Sequence, residues 1–188
     1  MPSVFLVSDT HFGHAGVCRF LRVDGITKLR PWDTPEEMDE ALVERYNAVV
    51  KPSDKVYFLG DVAINRRGLK VLERLNGKKV LIKGNHDIFK LGDYTPHFKD
   101  IRAYHVMNGL ILSHVPVHES NLYRFGANIH GHTHEHRVML NGEIDPRYFS
   151  VCVEHTDFAP ILFEEVLKQI VEQGGTVGFK NGNGPAVM

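Results

Sequence analysis

Five short motifs in this 188-residue chain carry side chains of metal-binding type. They are Asp9-Thr10-His11, Gly60-Asp61, Gly84-Asn85-His86-Asp87, Ser113-His114 and Gly131-His132-Thr133-His134. Carboxylate oxygen, amide oxygen and imidazole nitrogen together suit Mn, Fe, Zn, Co or Ni better than Mg or Ca, which prefer all-oxygen shells. Two Asp, one Asn and four His are too many ligands for one ion and fit two ions that share a carboxylate. Two divalent cations set against two aspartates and a hydroxide leave a net charge of about +1, which attracts an anionic phosphate ester. Ions roughly 3.5–4 Å apart can bind a phosphate, activate a water and stabilise in-line displacement.

Taken singly, these residues read more plainly. A lone Asp after a strand is usually a cap or turn residue, and an Asn beside a Gly is usually a turn residue. The ordered set reverses that balance. The run 130–136 alternates His with other residues, so in a strand all four imidazoles would share one face. His132 and His134 read as ligands, while His130 and His136 read as structural or as supports behind the ligands. A ligating imidazole donates its other N–H to a carboxylate or carbonyl, a role open to Glu135 or Asp87. His14 divides evenly between lining a substrate pocket and capping the next segment. Arg30 is a candidate phosphate contact because guanidinium binds phosphate bidentately. Arg66 and Arg67 are weaker candidates, better read singly as surface arginines. Trp32 is read as packing, and His97, His105 and His155 as unrelated to the chemistry.

The elements that must carry these motifs are legible around them. Each motif follows an apolar run, at 4–7, 56–59, 80–82, 110–112 and 127–129. The first half reads strand (4–7), helix (34–50), strand (55–59), helix (69–75), strand (79–82), a pattern for parallel strands with helical crossovers. Thr34, Pro35 and Glu37 spell a capped helix start with a capping box, and Met38, Ala41, Leu42, Tyr46 and Val49 give it an apolar face. Residues just past the C-terminal ends of such strands converge on one crevice. The second half reads as strands 101–107 and 110–113 around Asn108-Gly109, a strand at 127–129, and strands 138–140 and 148–153 flanking a turn that starts at Asn141-Gly142. A last helix covers 162–173. One domain, 1–172, is expected, followed by a Gly- and Asn-rich, loosely ordered tail, 173–188.

Bulk properties exclude other classes. The net charge of −1 argues against general nucleic-acid or membrane binding, and no apolar run is long enough to span a bilayer. Cys18 and Cys152 form no CxxC pair and read as reduced thiols, which with the lack of a signal-peptide pattern points to the cytoplasm. Twelve histidines are present, and their clustering between His105 and His136 is the unusual feature.

In this order, Asp-x-His, Gly-Asp, Gly-Asn-His-Asp, His and Gly-His-x-His resemble the calcineurin-like metallophosphoesterase superfamily, most closely its small single-domain prokaryotic and phage branch. Segments 8–14, 37–50 and 153–161 resemble that branch as well. The resemblance implies an α/β fold, a four-layer α/β/β/α sandwich with two mixed β-sheets flanked by helices. It implies that Asp9, His11 and His134 hold one metal, that Asn85, His114 and His132 hold the second, and that Asp61 bridges them. His86 would act as proton donor or transition-state stabiliser near the leaving group, oriented by Asp87. The implied activity is hydrolysis of a small phosphate ester, preferably a diester, with nucleotide esters among the candidates, by a bridging hydroxide. The cofactor would be two divalent transition-metal ions, Mn, Fe, Ni or Zn, with Mn favoured in vitro. Competing readings are a phosphomonoesterase and a non-catalytic metal-binding scaffold on the same fold. The intact His86 argues against the scaffold. A zinc hydrolase of the metallo-β-lactamase type fits less well, because no aspartate follows His134 in the required place.

Overall fold

A computed structural model describes residues 2–179. The chain runs β1 (Val4–Val7), α1 (Pro35–Val49), β2 (Lys55–Phe58), α2 (Arg66–Val71), β3 (Lys78–Ile82), α3 (Leu91–Tyr94) and β4 (Asp100–Arg102). It continues with β5 (His105–Met107), β6 (Leu110–Leu112), β7 (Asn128–His130), β8 (Met139–Leu140), β9 (Glu143–Ile144), β10 (Tyr148–Ser150), β11 (Ile161–Leu162) and α4 (Phe163–Glu172). The first sheet has the order β11-β1-β2-β3-β4, with β11 antiparallel and the rest parallel. The second has the order β10-β7-β6-β5, parallel except for the β5–β6 hairpin.

Strand periodicity explains the layers. Along β1 and β2, Phe5, Val7, Val56 and Phe58 face one core, with Met38, Leu42, Val43 and Tyr46 of α1 and Leu69 and Val71 of α2. Leu6 and Tyr57 point the other way, into a core shared with Leu110, Leu112, Ile129 and Phe149 near or in the second sheet. The first sheet is therefore buried on both faces, as near-continuous apolar strands require. The outer face of the second sheet is covered by a 3-10 segment, Glu119–Tyr123, whose Leu122 packs with Ile111 and Tyr148. The mixed α/β sandwich is as expected, but this fourth layer is a 3-10 turn. The last helix instead sends Phe163, Val166 and Ile170 into the core between the sheets.

Local signals behave as their chemistry dictates. Thr34 and Glu37 form the reciprocal capping box. Asn108 and Gly109 both have positive φ, 50° and 71°, as a two-residue hairpin turn demands, and Asn141 and Gly142 repeat this between β8 and β9. Three expectations need correction. The segment 101–107 is not one strand. It breaks at Ala103 and Tyr104, so that β4 joins β3 while β5 joins β6 in the other sheet. The second helix starts earlier, at Arg66, because Asn65 caps it by accepting from the Gly68 N–H at 2.8 Å. The buried stripe of α1 takes Asp39 and Val43, and Val49 is exposed. Asp39 has a reason to be inside: its carboxylate accepts the Gly13 N–H at 2.9 Å and so ties α1 to the loop that carries His11. In the expected tail, Phe179 bridges to Phe125, and residues 180–188 lie outside the described residues.

Candidate metal centre

All five motifs meet at the C-terminal ends of the strands. Asp9, His11 and His134 form one group, and Asp61, His114 and His132 form another; within each group the candidate ligand atoms lie within 4.8 Å of one another. Asn85 joins the second group, with Oδ1 2.8 Å from His114 Nε2. Asp61 touches both groups, because its Oδ2 lies 3.7 Å from His11 Nε2 and 3.3 Å from His114 Nε2.

The backbone is bent to achieve this. Among the described residues, nine other than glycine have positive φ, and five of them are Asp9, His11, Asp61, His132 and His134. Each such residue costs on the order of 1 kcal/mol and persists only where its surroundings impose it. The left-handed residues also explain the histidine run. β7 ends at His130, and positive φ at His132 and His134 sends their rings to different groups, where an extended strand would have set them side by side. His130 stays buried, with Nδ1 2.8 Å from the Gly131 carbonyl.

Close approach sets the glycines. A Cβ on Gly60 would stand 2.7 Å from Gly84 Cα, so the Asp61 and Asn85 loops can touch only as glycines. A Cβ on Gly131 would stand 1.9 Å from Ser8 Oγ and 2.5 Å from Asp9 Oδ2. Gly131→Ala is therefore expected to displace Asp9 and to weaken metal binding by about 10–100-fold, the range for a lost supporting contact. Calorimetric titration of metal into wild type and variant checks this.

Hydrogen bonds orient the candidate ligand atoms. Asp9 Oδ2 accepts from Ser8 Oγ (2.6 Å) and the His132 N–H (2.8 Å), and Cys152 Sγ stands 3.2 Å away. Asp9 Oδ1 is left buried with no partner, as are both ring nitrogens of His11. His114 Nδ1 donates to the Leu59 carbonyl (2.7 Å), and His134 Nδ1 donates to Glu154 (3.0 Å), which turns each Nε2 lone pair towards the centre. With His114 neutral, its Nε2 lone pair and Asn85 Oδ1 face each other at 2.8 Å. Buried orphan acceptors and facing lone pairs are costly unless a cation sits among them. The residues fit divalent metal on this ground and on their mixed oxygen and nitrogen chemistry. Burial resists ionisation of Asp9, but the His11 contact and the nearby imidazoles hold its carboxyl below the usual range. Asp61 is likewise lowered, with burial outweighed chiefly by His114. Adding Mn or Zn at about a hundred times Kd is expected to stabilise the fold by about 2.7 kcal/mol, read as a rise in melting temperature that chelator reverses.

Three site expectations change. Arg30 is not a substrate contact. It is fully buried, pairing with Glu154 at 2.7 Å and donating to the carbonyls of Asp9 and Thr10. Asp87 does not orient the His86 ring. Its buried carboxylate accepts the N–H groups of Asp61 (2.9 Å), Val62 (3.0 Å) and Gly84 (2.8 Å), clamping the Asp61 and Asn85 loops together. The carboxylate behind a candidate ligand is Glu154; Glu135 instead accepts the Val23 N–H. Arg66 and Arg67 pair at the surface with Asp93 and Glu36. Trp32 packs edge-on to Phe158. His14 and His86 do reach the site, their rings 5.3 and 5.4 Å from that of His11. Burial and the charge of His11 keep His14 neutral, with its pKa pushed down to about 4.

No family model matches the chain. An uncharacterised protein of Methanocaldococcus jannaschii is 35% identical over 185 residues, 94% of this chain and 96% of its own. A protein of unknown function from Aquifex aeolicus superposes with a TM-score of 0.64 at 22% identity, covering 90% of this chain and 100% of that one. The chain belongs to the family of the Methanocaldococcus protein and shares the fold of the Aquifex protein. The nuclease MPE of Pseudomonas putida, at 22% identity and a TM-score of 0.46, aligns over 75% of this chain and 66% of its own. The strand ends that carry the motifs bring together Asp and His groups that could hold metal. No helix among the described residues is long and apolar enough to cross a membrane.

Proposed function

We propose that this chain hydrolyses phosphate esters, diesters ahead of monoesters, with two divalent transition-metal ions. Asp9, His11 and His134 would hold one ion, Asn85, His114 and His132 the other, and Asp61 would be shared. The observation that carries this reading is the place of Asp61 Oδ2 between an imidazole of each group. When bound, such an ion pair supplies Lewis-acid stabilisation of the phosphate and a water acidified towards neutral pH.

The protein's own groups supply the rest. Arg30 and Asp87 hold the ligand loops in place from behind. His86 is exposed beside His11, and its backbone N–H is fixed at 2.8 Å by Asp61 Oδ1. From there its ring can deliver a proton to the departing oxygen. His14, held neutral next to His11, would contact the substrate. Asn85, His86 and His132 are all exposed, so the mouth is open and a second ester substituent has room. Hydrolysis of bis- and mono-nitrophenyl phosphate should be compared with Mn, Ni and Zn in turn. Faster turnover of the diester, dependent on metal, is the expected outcome. Faster turnover of the monoester would overturn the diester preference.

A further inference from the structure

A pocket of about 1090 Å³ opens directly from the second ligand group, with Asn85 and His114 in its wall. It is large enough for much more than a phosphate. Its other walls come from the β4–β5 junction, β6 and the 3-10 segment that covers the second sheet. Two features set its chemistry. Tyr104 and Tyr123 line it and are 59% and 69% exposed, so much of each ring surface is open to a ligand. Lys83 and Arg124 also line it, and neither has a carboxylate partner among the described residues; Lys83 has only the Tyr94 ring, at 5.8 Å. No Asp or Glu is among the lining residues. Several other surface arginines are paired, as Arg66, Arg67, Arg74 and Arg147 are. Two unpaired cations beside two open aromatic rings suit a ligand that is both aromatic and anionic.

We propose that this pocket takes the nucleoside side of a phosphodiester. A base would lie against Tyr104 and Tyr123, and a second phosphate, one nucleoside beyond the scissile one, against Lys83 and Arg124. The inference rests on the phosphoesterase reading for the position of the scissile ester. It narrows the substrate class to a short nucleotide chain with phosphates on both sides of a nucleoside. The walls contain no further unpaired cations that would track a long backbone, which agrees with the chain's net charge of −1.

The test is calorimetric binding to the full chain in chelator, where no ester is turned over. Three probes are compared: a 5′-phosphorylated deoxyadenylate dinucleotide, the same dinucleotide without its terminal phosphate, and its abasic analogue. In wild type, each truncation is expected to raise Kd by about tenfold. Arg124→Gln should erase the effect of the terminal phosphate, and Tyr123→Ala the effect of the base. Both side chains are on the surface of the pocket, and melting curves confirm that the variants fold. Equal binding of all three probes, no saturable binding, or discrimination that survives both substitutions would overturn the proposal. Discrimination in a protein that, once loaded with metal, hydrolyses no ester would overturn the phosphoesterase reading and leave the pocket standing.

Discussion

Replacing Asp61 with Ala is expected to lower hydrolysis of bis-nitrophenyl phosphate by on the order of 10³-fold or more, the scale seen when a member of an interdependent catalytic set is removed. The reason is geometric. Among the described residues, Asp61 is the one carboxylate within 4 Å of an imidazole in each group, through a single oxygen. Its other oxygen holds the His86 N–H. Removing it therefore loosens both groups and the loop that carries the proposed proton donor. Metal stoichiometry should fall with activity, as read by elemental analysis after dialysis. Full turnover in Asp61→Ala would refute the role. Asp61 stands at φ 53°, where Ala is no less strained than Asp, so melting curves of the variant separate this loss from unfolding.

Glu154→Ala is expected to have the largest effect on stability, a loss of about 3–5 kcal/mol, because it leaves the Arg30 guanidinium buried without its counter-charge. Urea unfolding measures it. Arg30 cannot relax to solvent, since it is held among Asp9 O, Thr10 O and the core. Glu154→Gln keeps the shape but not the charge, and should weaken metal binding at the Asp9, His11 and His134 group by about 10–100-fold. The same carboxylate sets a pH dependence. Burial opposes its ionisation, but Arg30 and then His134 outweigh burial and bring its pKa from 4.5 to about 2. A lowered folded pKa means stability that is present above pH 4.5 and is lost as pH falls from there towards 2. Wild type and Glu154→Gln should therefore converge in stability across that acid range. Parallel curves would contradict the charge-based account.

The candidate ligands were legible because each is adjacent in sequence to the strand that carries it. A short apolar run followed by Asp, Asn or His is a local pattern, and strand ends of a parallel sheet converge whatever the intervening lengths. The residues behind the ligands were not legible, because their partners are chosen only by tertiary approach. Glu154 is 20 residues from His134 and 124 from Arg30. Nothing in the Arg30 neighbourhood distinguishes a phosphate contact from a buried ion pair until Glu154 arrives beside it. Asp87 misled for the opposite reason. Its nearness to His86 in sequence suggested a partnership, while its carboxylate turned inward to the amides of the Asp61 loop. The break at Ala103 and Tyr104 was hidden because both halves of 101–107 have strand-forming residues, and only the presence of two sheets divides them. The Gly60–Gly84 contact was visible only as two glycines in separate motifs.

The most direct test of the two-ion centre is a titration of Mn or Zn into chelator-stripped protein, following bound metal and ester hydrolysis together. Saturation at two ions per chain is expected, with hydrolysis of bis-nitrophenyl phosphate rising as the second ion binds. Hydrolysis by the stripped protein, or two bound ions with no turnover of any phosphate ester, would contradict it.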